Sequence, residues 1–119
     1  MNKYPYFSDA EFAKIGSDPE KMSPQFMGRL INLRRAFGHP MIMTSAWRLE
    51  GGTAHPLGRA VDVHIYGEWA WSLLMLAPHH GITGIGLRQH GDFAKRFVHF
   101  DDLTPDLAPR PRAWTYNED

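Results

Sequence analysis

The chain has 119 residues, with 13 basic and 13 acidic side chains, seven histidines and no cysteine. This length suits one domain spanning 1–119 and is too short for two ordinary ones, and the balanced charge excludes a general attraction to nucleic acid or an anionic membrane. Disulfides and thiolate metal sites are ruled out, no apolar run approaches the length of a membrane span, and Met1 to Ser8 lacks the apolar stretch of a signal peptide.

Met1 to Phe7 is an aromatic lead, Y-P-Y-F at its centre. Ser8-Asp9-Ala10-Glu11 is a capping box, in which Ser8 caps the helix start and Glu11 reaches back, so a short helix runs to about Ile15 and stops near Gly16. Ser23-Pro24 opens the main helix, with Ser23 as N-cap and Pro24 in the first helical position. Phe26, Leu30, Leu33 and Phe37 form one apolar stripe along it. Gly38 stops this helix and Pro40 prevents its resumption. Arg29, Arg34 and Arg35 read as its solvated face rather than a nucleic-acid patch. Met41 to Ser45 is a strand that delivers Trp47 and Arg48, and Leu49 to Thr53, with Gly51-Gly52, is a flexible rim loop.

Ala60 to Ile65 is the next strand. Gly67 to Ala77 is apolar on much of its surface and is expected as a core helix, ended by Pro78 to Gly81, with His79 and His80 on a surface loop. Gly84 to Leu87 is a strand whose glycines permit close approach. Arg88 to Lys95 turns the chain into a last apolar strand, Phe97 to Phe100, which is expected to form a hairpin with the one before. Pro105 to Arg112 wraps over the domain in extended form, and Trp114 and Tyr116 dock as an edge strand. The expected class is α+β: a small, largely antiparallel sheet with helices packed against it.

Chemistry concentrates in A-H-P-L-G-R-A-V-D-V-H, Ala54 to His64, and in R-F-V-H-F-D-D, Arg96 to Asp102. Two imidazoles and a carboxylate, His55, Asp62 and His99, make a three-ligand zinc set with a fourth position for water. Fully extended, the chain would hold His55 and Asp62 roughly 23 Å apart, so it must turn, and Pro56 and Gly58 allow that. Alternation puts Asp62 on one strand face with Ala60 and His64, and His99 with Phe97 and Asp101. If the two strands are neighbours, Asp62 and His99 meet across the pair and His55 reaches in from the loop.

H-P-L-G-R-A-V-D resembles the H-x-x-G-x-A-x-D signature of the zinc D-Ala-D-Ala carboxypeptidase family (peptidase family M15), which includes phage endolysins. Ser45-Ala46-Trp47-Arg48 resembles the S-x-x-R element that precedes it, and Phe97 to Asp101 resembles the final zinc-ligand strand. R-P-R-A-W-T-Y resembles the tail of the small phage-type members, so the likeness runs from about Phe7 to Tyr116. It implies a hedgehog/D-Ala-D-Ala peptidase-like fold, Zn2+ on His55, Asp62 and His99, and Arg48 as a substrate-binding fork of donors. It also implies a peptidoglycan stem peptide as substrate, cut at D-Ala-D-Ala ends or at the L-Ala-D-Glu link. The chain is expected to be a monomer; by this resemblance it would be phage-encoded, made in the host cytoplasm and acting on the wall.

One departure stands out. Relatives carry Glu, Asp or His two or three residues before the final zinc His, where this chain has Phe97 and Arg96. Asp101 is then the first candidate for the general base, or else a group that holds an imidazole; Asp92, His90 and His64 are weaker candidates. Two alternatives remain: a wall-binding or virion-associated module that keeps metal without turnover, and a purely structural zinc with a fourth protein ligand.

Overall fold

The computed structural model describes residues 1–116; residues 117–119 of the expected domain lie outside the described residues. Ser8 caps α1 (Asp9–Lys14): the Glu11 amide donates to its hydroxyl at 3.1 Å, and the Ser8 amide donates to the Glu11 carboxylate at 3.2 Å. A 3₁₀ turn, Pro19–Lys21, leads into α2 (Pro24–Phe37), capped by Ser23 and closed by Gly38 at φ 78, a left-handed conformation that favours glycine. Phe26, Leu30, Leu33 and Phe37 are buried, and Met27 and Ile31 widen the stripe. Each such side chain contributes about 1.5–3 kcal/mol by leaving water.

Five strands follow: β1 (Ile42–Ser45), β2 (Ala60–His64), β3 (Gly84–Arg88), β4 (Phe97–Asp101) and β5 (Arg112–Thr115), with α3 (Gly67–Leu76) between β2 and β3. Their spatial order is β1-β2-β4-β3-β5. The first three pairings are antiparallel, including the expected β3–β4 hairpin, and β5 lies parallel to β3. The parallel pairing has a simple origin. β4 ends at Asp101 beside Gly84, the start of β3, and the Pro-rich segment re-enters on the other side of that same start, at Arg112. The result is the α+β class, with a mixed sheet and three helices.

Strand alternation divides labour between the two faces. Val61, Val63, Val98 and Phe100 join the side chains of α2 and Leu73 of α3 in one buried core. The opposite face carries Asp62 and His64 of β2 and Phe97, His99 and Asp101 of β4.

Two expectations need correction. α3 is no core helix: only Ala70 and Leu73 are buried, and Trp69, Trp71 and Met75 are 47%, 65% and 52% exposed. It lays one narrow stripe on the core, while Trp69 turns out to meet His39, ring centroids 4.1 Å apart. Arg29 is not a solvated charge. It donates to the buried carboxylate of Asp102 at 2.6 Å, and Arg59 closes on the same group with two bonds of 2.9 and 2.8 Å. Arg34 and Arg35 lie over the Tyr6 ring at 4.5 and 5.8 Å.

Candidate metal centre

The turn before β2 is built by Gly58. Its φ is 69, its amide donates to the His55 carbonyl at 3.0 Å, and the Arg59 amide donates to the Ala54 carbonyl at 3.0 Å. A Cβ here would collide with the Lys21 carbonyl and come within 2.9 Å of Met22 Cα. Glycine is therefore required twice, by conformation and by space, because the turn is pressed onto the entry to α2, where the Ser23 amide donates to Gly58 at 2.9 Å. This seating buries His55 and brings its Nδ1 to 2.7 Å from the Ala46 carbonyl. A carbonyl only accepts, so Nδ1 carries a proton and Nε2 is the ring atom left to face Asp62 and a metal ion. Nε2 lies 3.5 Å from Asp62 Oδ1.

Asp62 and His99 are direct cross-strand partners, His99 Nδ1 lying 3.0 Å from Asp62 Oδ1. The His55 and His99 rings stand 5.2 Å apart, and one ligand atom from each of the three residues falls within 4.8 Å of the others. The turn and the register expected from the sequence thus bring His55, Asp62 and His99 together as a possible metal-binding triad. Among the described residues this group holds three donors, as an open site does rather than a closed structural one.

The electrostatics fit a cation. Burial opposes charge on Asp62, yet hydrogen bonds from His55 and His99 prevail and lower its carboxyl from 3.8 to about 2. Burial also opposes charge on His99, but the hydrogen bonds to Asp101 and Asp62 outweigh it and raise the imidazole above its usual 6.5. Between two ionised carboxylates His99 holds an extra proton, and a divalent ion on Nδ1 would take over its place.

Asp101 stands on the far side of His99. Its Oδ2 is 2.7 Å from Nε2, while Arg110 donates to both its oxygens, at 2.9 and 2.8 Å, and the Leu103 amide adds a bond at 3.3 Å. The residue is fully buried. Burial disfavours its charge, but His99 and Arg110 hold it well below the usual carboxylate range. Gly84, its partner on β3, makes the room: a Cβ there would collide with the Asp101 carboxylate. Gly86 does the same for Trp114, whose indole nitrogen would lie 2.6 Å from an added Cβ, and Trp114 in turn packs its ring 5.2 Å from that of His99.

A cavity of about 450 Å³ opens above the triad. Arg48 stands at its rim, half-exposed, held by Ser45 Oγ at 2.5 Å and the Glu50 carbonyl at 2.9 Å, and 3.9 Å from Asp62 Oδ2. Gly51, at φ 106, lets the rim loop close on it, since a Cβ would come within 2.6 Å of the guanidinium. The far wall belongs to the last segment: Arg110, Arg112, Trp114 and Tyr116. A family model described as Peptidase M15 matches residues 6–101.

The chain belongs to peptidase family M15.

Comparisons with curated proteins and with solved structures found no match. The M15 match ends at Asp101, so the far wall lies beyond it. The contribution of Arg110 escaped the sequence reading. The signal was the two-residue spacing in R-P-R-A-W-T-Y, which puts Arg112, Trp114 and Tyr116 on one face of an extended strand. The weaker base candidates sit elsewhere: His64 lines a neighbouring cavity, with Nδ1 donating to the Arg96 carbonyl at 2.9 Å, and His90 and Asp92 lie in the β3–β4 connection, outside the lining of the triad's cavity.

Proposed function

We propose that the protein is a zinc metallopeptidase that hydrolyses a peptide bond in bacterial cell-wall peptidoglycan. It would act as a D,D-carboxypeptidase or an L-alanyl-D-glutamate endopeptidase of the phage endolysin type. The observation that carries this reading is the convergence of His55 Nε2, Asp62 and His99 Nδ1 beneath an open cavity with Arg48 at its rim. Those three residues would hold the ion. Zinc in such a site supplies Lewis acidity toward a scissile carbonyl and toward water. The chain's own residues do the rest. Ala46 fixes the tautomer of His55, and Asp101 accepts from His99 Nε2 and so keeps Nδ1 as the ligand atom. In this reading Asp101 acts through His99 and not as the general base. Arg48 uses Nε and Nη1 on the protein, which leaves Nη2 for a substrate carboxylate or carbonyl.

One observation favours a second reading, a metal-containing wall-binding or virion-associated module without turnover. Among the described residues lining the cavity the only carboxylate is Asp101, and it is committed behind His99. Zinc-loaded protein on purified peptidoglycan separates the two. Release of peptide fragments, lost in Asp62→Ala, supports the peptidase; wall binding with no release across several wall chemistries supports the module.

A further inference from the structure

The cavity over the triad does not end the site face. A second cavity, of about 470 Å³, adjoins it at Tyr116, which lines both. The face has three rungs. Asp101 lies beside Gly84 and Arg112, His99 beside Asp62, Gly86 and Trp114, and Phe97 beside His64 and Arg88. From the first rung to the last is about 13 Å, the span of four extended residues.

Among the described residues the charge along this strip is one-sided. Arg48, Arg110 and Arg112 line the first cavity and Arg88, Lys95 and Arg96 the second, six of the 13 basic side chains in a chain with no net charge. Among the described residues the one carboxylate lining either cavity is Asp101, already bonded to Arg110 and His99. Arg88 donates to the Lys95 carbonyl at 2.9 Å, and Arg96 to the Gly91 carbonyl at 3.1 and 2.9 Å. Carbonyls aim a guanidinium without cancelling its charge. Among the described residues no carboxylate lies within ion-pair distance of Arg88, Lys95, Arg96 or Arg112. Concave walls of one sign focus the field toward an opposite charge.

We propose that the two cavities form one groove for an extended anionic peptide, which places a carboxylate past Tyr116, on Lys95 and Arg96, while the bond to be cut lies over the triad. This rests on the peptidase reading and adds the charge of the substrate and the place where that charge is read. A peptide fits the strip's length and the family's chemistry; a nucleic acid is the competing polyanion.

The test uses the zinc-loaded full chain and a fluorescent hexapeptide with two glutamates, its bis-glutamine counterpart and a short single-stranded oligothymidylate, all followed by anisotropy at low and high salt. The diacid should bind about tenfold more tightly than the diamide at low salt, and the gap should close at high salt. Lys95→Gln and Arg96→Gln should each weaken the diacid about two- to fivefold and leave the diamide unchanged. Equal binding of the two peptides, equal effects of the variants on both, no measurable binding of either, or an oligonucleotide that binds more tightly than the diacid would each overturn the proposal. Fragment release from peptidoglycan is scored separately. Anion selectivity without release counts against the peptidase reading alone, and release without selectivity counts against the groove alone.

Discussion

Replacing Arg110 by glutamine removes the guanidinium that holds Asp101. The Asp101 carboxylate has no exposed surface and accepts from Arg110 twice, from His99 and from the Leu103 amide. Removing one partner of such a buried pair costs about 3–5 kcal/mol if the carboxylate stays charged. The carboxylate can escape part of that cost by taking up a proton. A protonated Asp101 then donates to His99 Nε2 instead of accepting from it, and the imidazole proton moves to Nδ1, the atom that should face the metal. Loss of a group that orients a ligand histidine weakens metal binding about 10- to 100-fold. Arg110→Gln should therefore reduce zinc affinity in chelator competition at neutral pH by that factor. The melting temperature of the metal-free chain should drop on the order of 10 °C. Arg110→Lys keeps the charge without the two-pronged geometry and should fall between. An Arg110→Gln protein whose zinc affinity stays within about twofold of the parent would refute the idea that this arginine acts on the site through Asp101.

Other outcomes follow from the same geometry. Asp62→Ala should abolish metal retention, measured as bound zinc after dialysis, and activity with it. In the metal-free chain Asp62 is held at about 2 against a usual 3.8; this lowered group stabilises the fold above pH 3.8, and the benefit is lost as pH falls toward 2, a limb that Asp62→Asn should flatten in acid titrations. His99 is raised above 6.5, so its contribution is complete below 6.5 and fades as pH climbs through the raised value. Zinc must displace that proton, and its affinity should rise with pH over the same range. Gly84→Ala would force a methyl group into the Asp101 carboxylate and should cost about 1–3 kcal/mol in denaturant unfolding while also weakening zinc binding. Asp102→Ala leaves Arg29 and Arg59 without their shared partner and should destabilise by about 1–3 kcal/mol, read by calorimetry.

Local signals carried much of the fold. The reciprocal bonds of Ser8 and Glu11, the cap at Ser23 and the stop at Gly38 depend on residues within four positions of one another, and all are where short-range rules put them. The triad was legible because a turn, a strand parity and one assumed neighbour sufficed to bring Asp62 opposite His99. What failed was non-local. Arg29 looked like any solvated helix charge because Asp102 lies 73 positions away. α3 carries more apolar side chains than the core has room for, and composition does not say which stripe faces inward. Parity put Asp101 on the His99 face, but the side of the ring it occupies is decided by Gly84 and Arg110, from two other segments.

The parallel edge strand has a kinetic consequence. Among the described strands β5 is hydrogen-bonded to β3 alone, and it reaches its place after a ten-residue excursion past Asp101. The helical core does not depend on it. Peeling this last ribbon away should therefore open the far wall and release Arg110 from Asp101 while the hydrophobic interior stays shut, a partial opening well short of global unfolding. Amide exchange at Tyr116, whose N–H is tied to the Leu87 carbonyl at 3.0 Å, should then run faster than at Val98 or Phe100, and zinc, by gripping His99, should slow it.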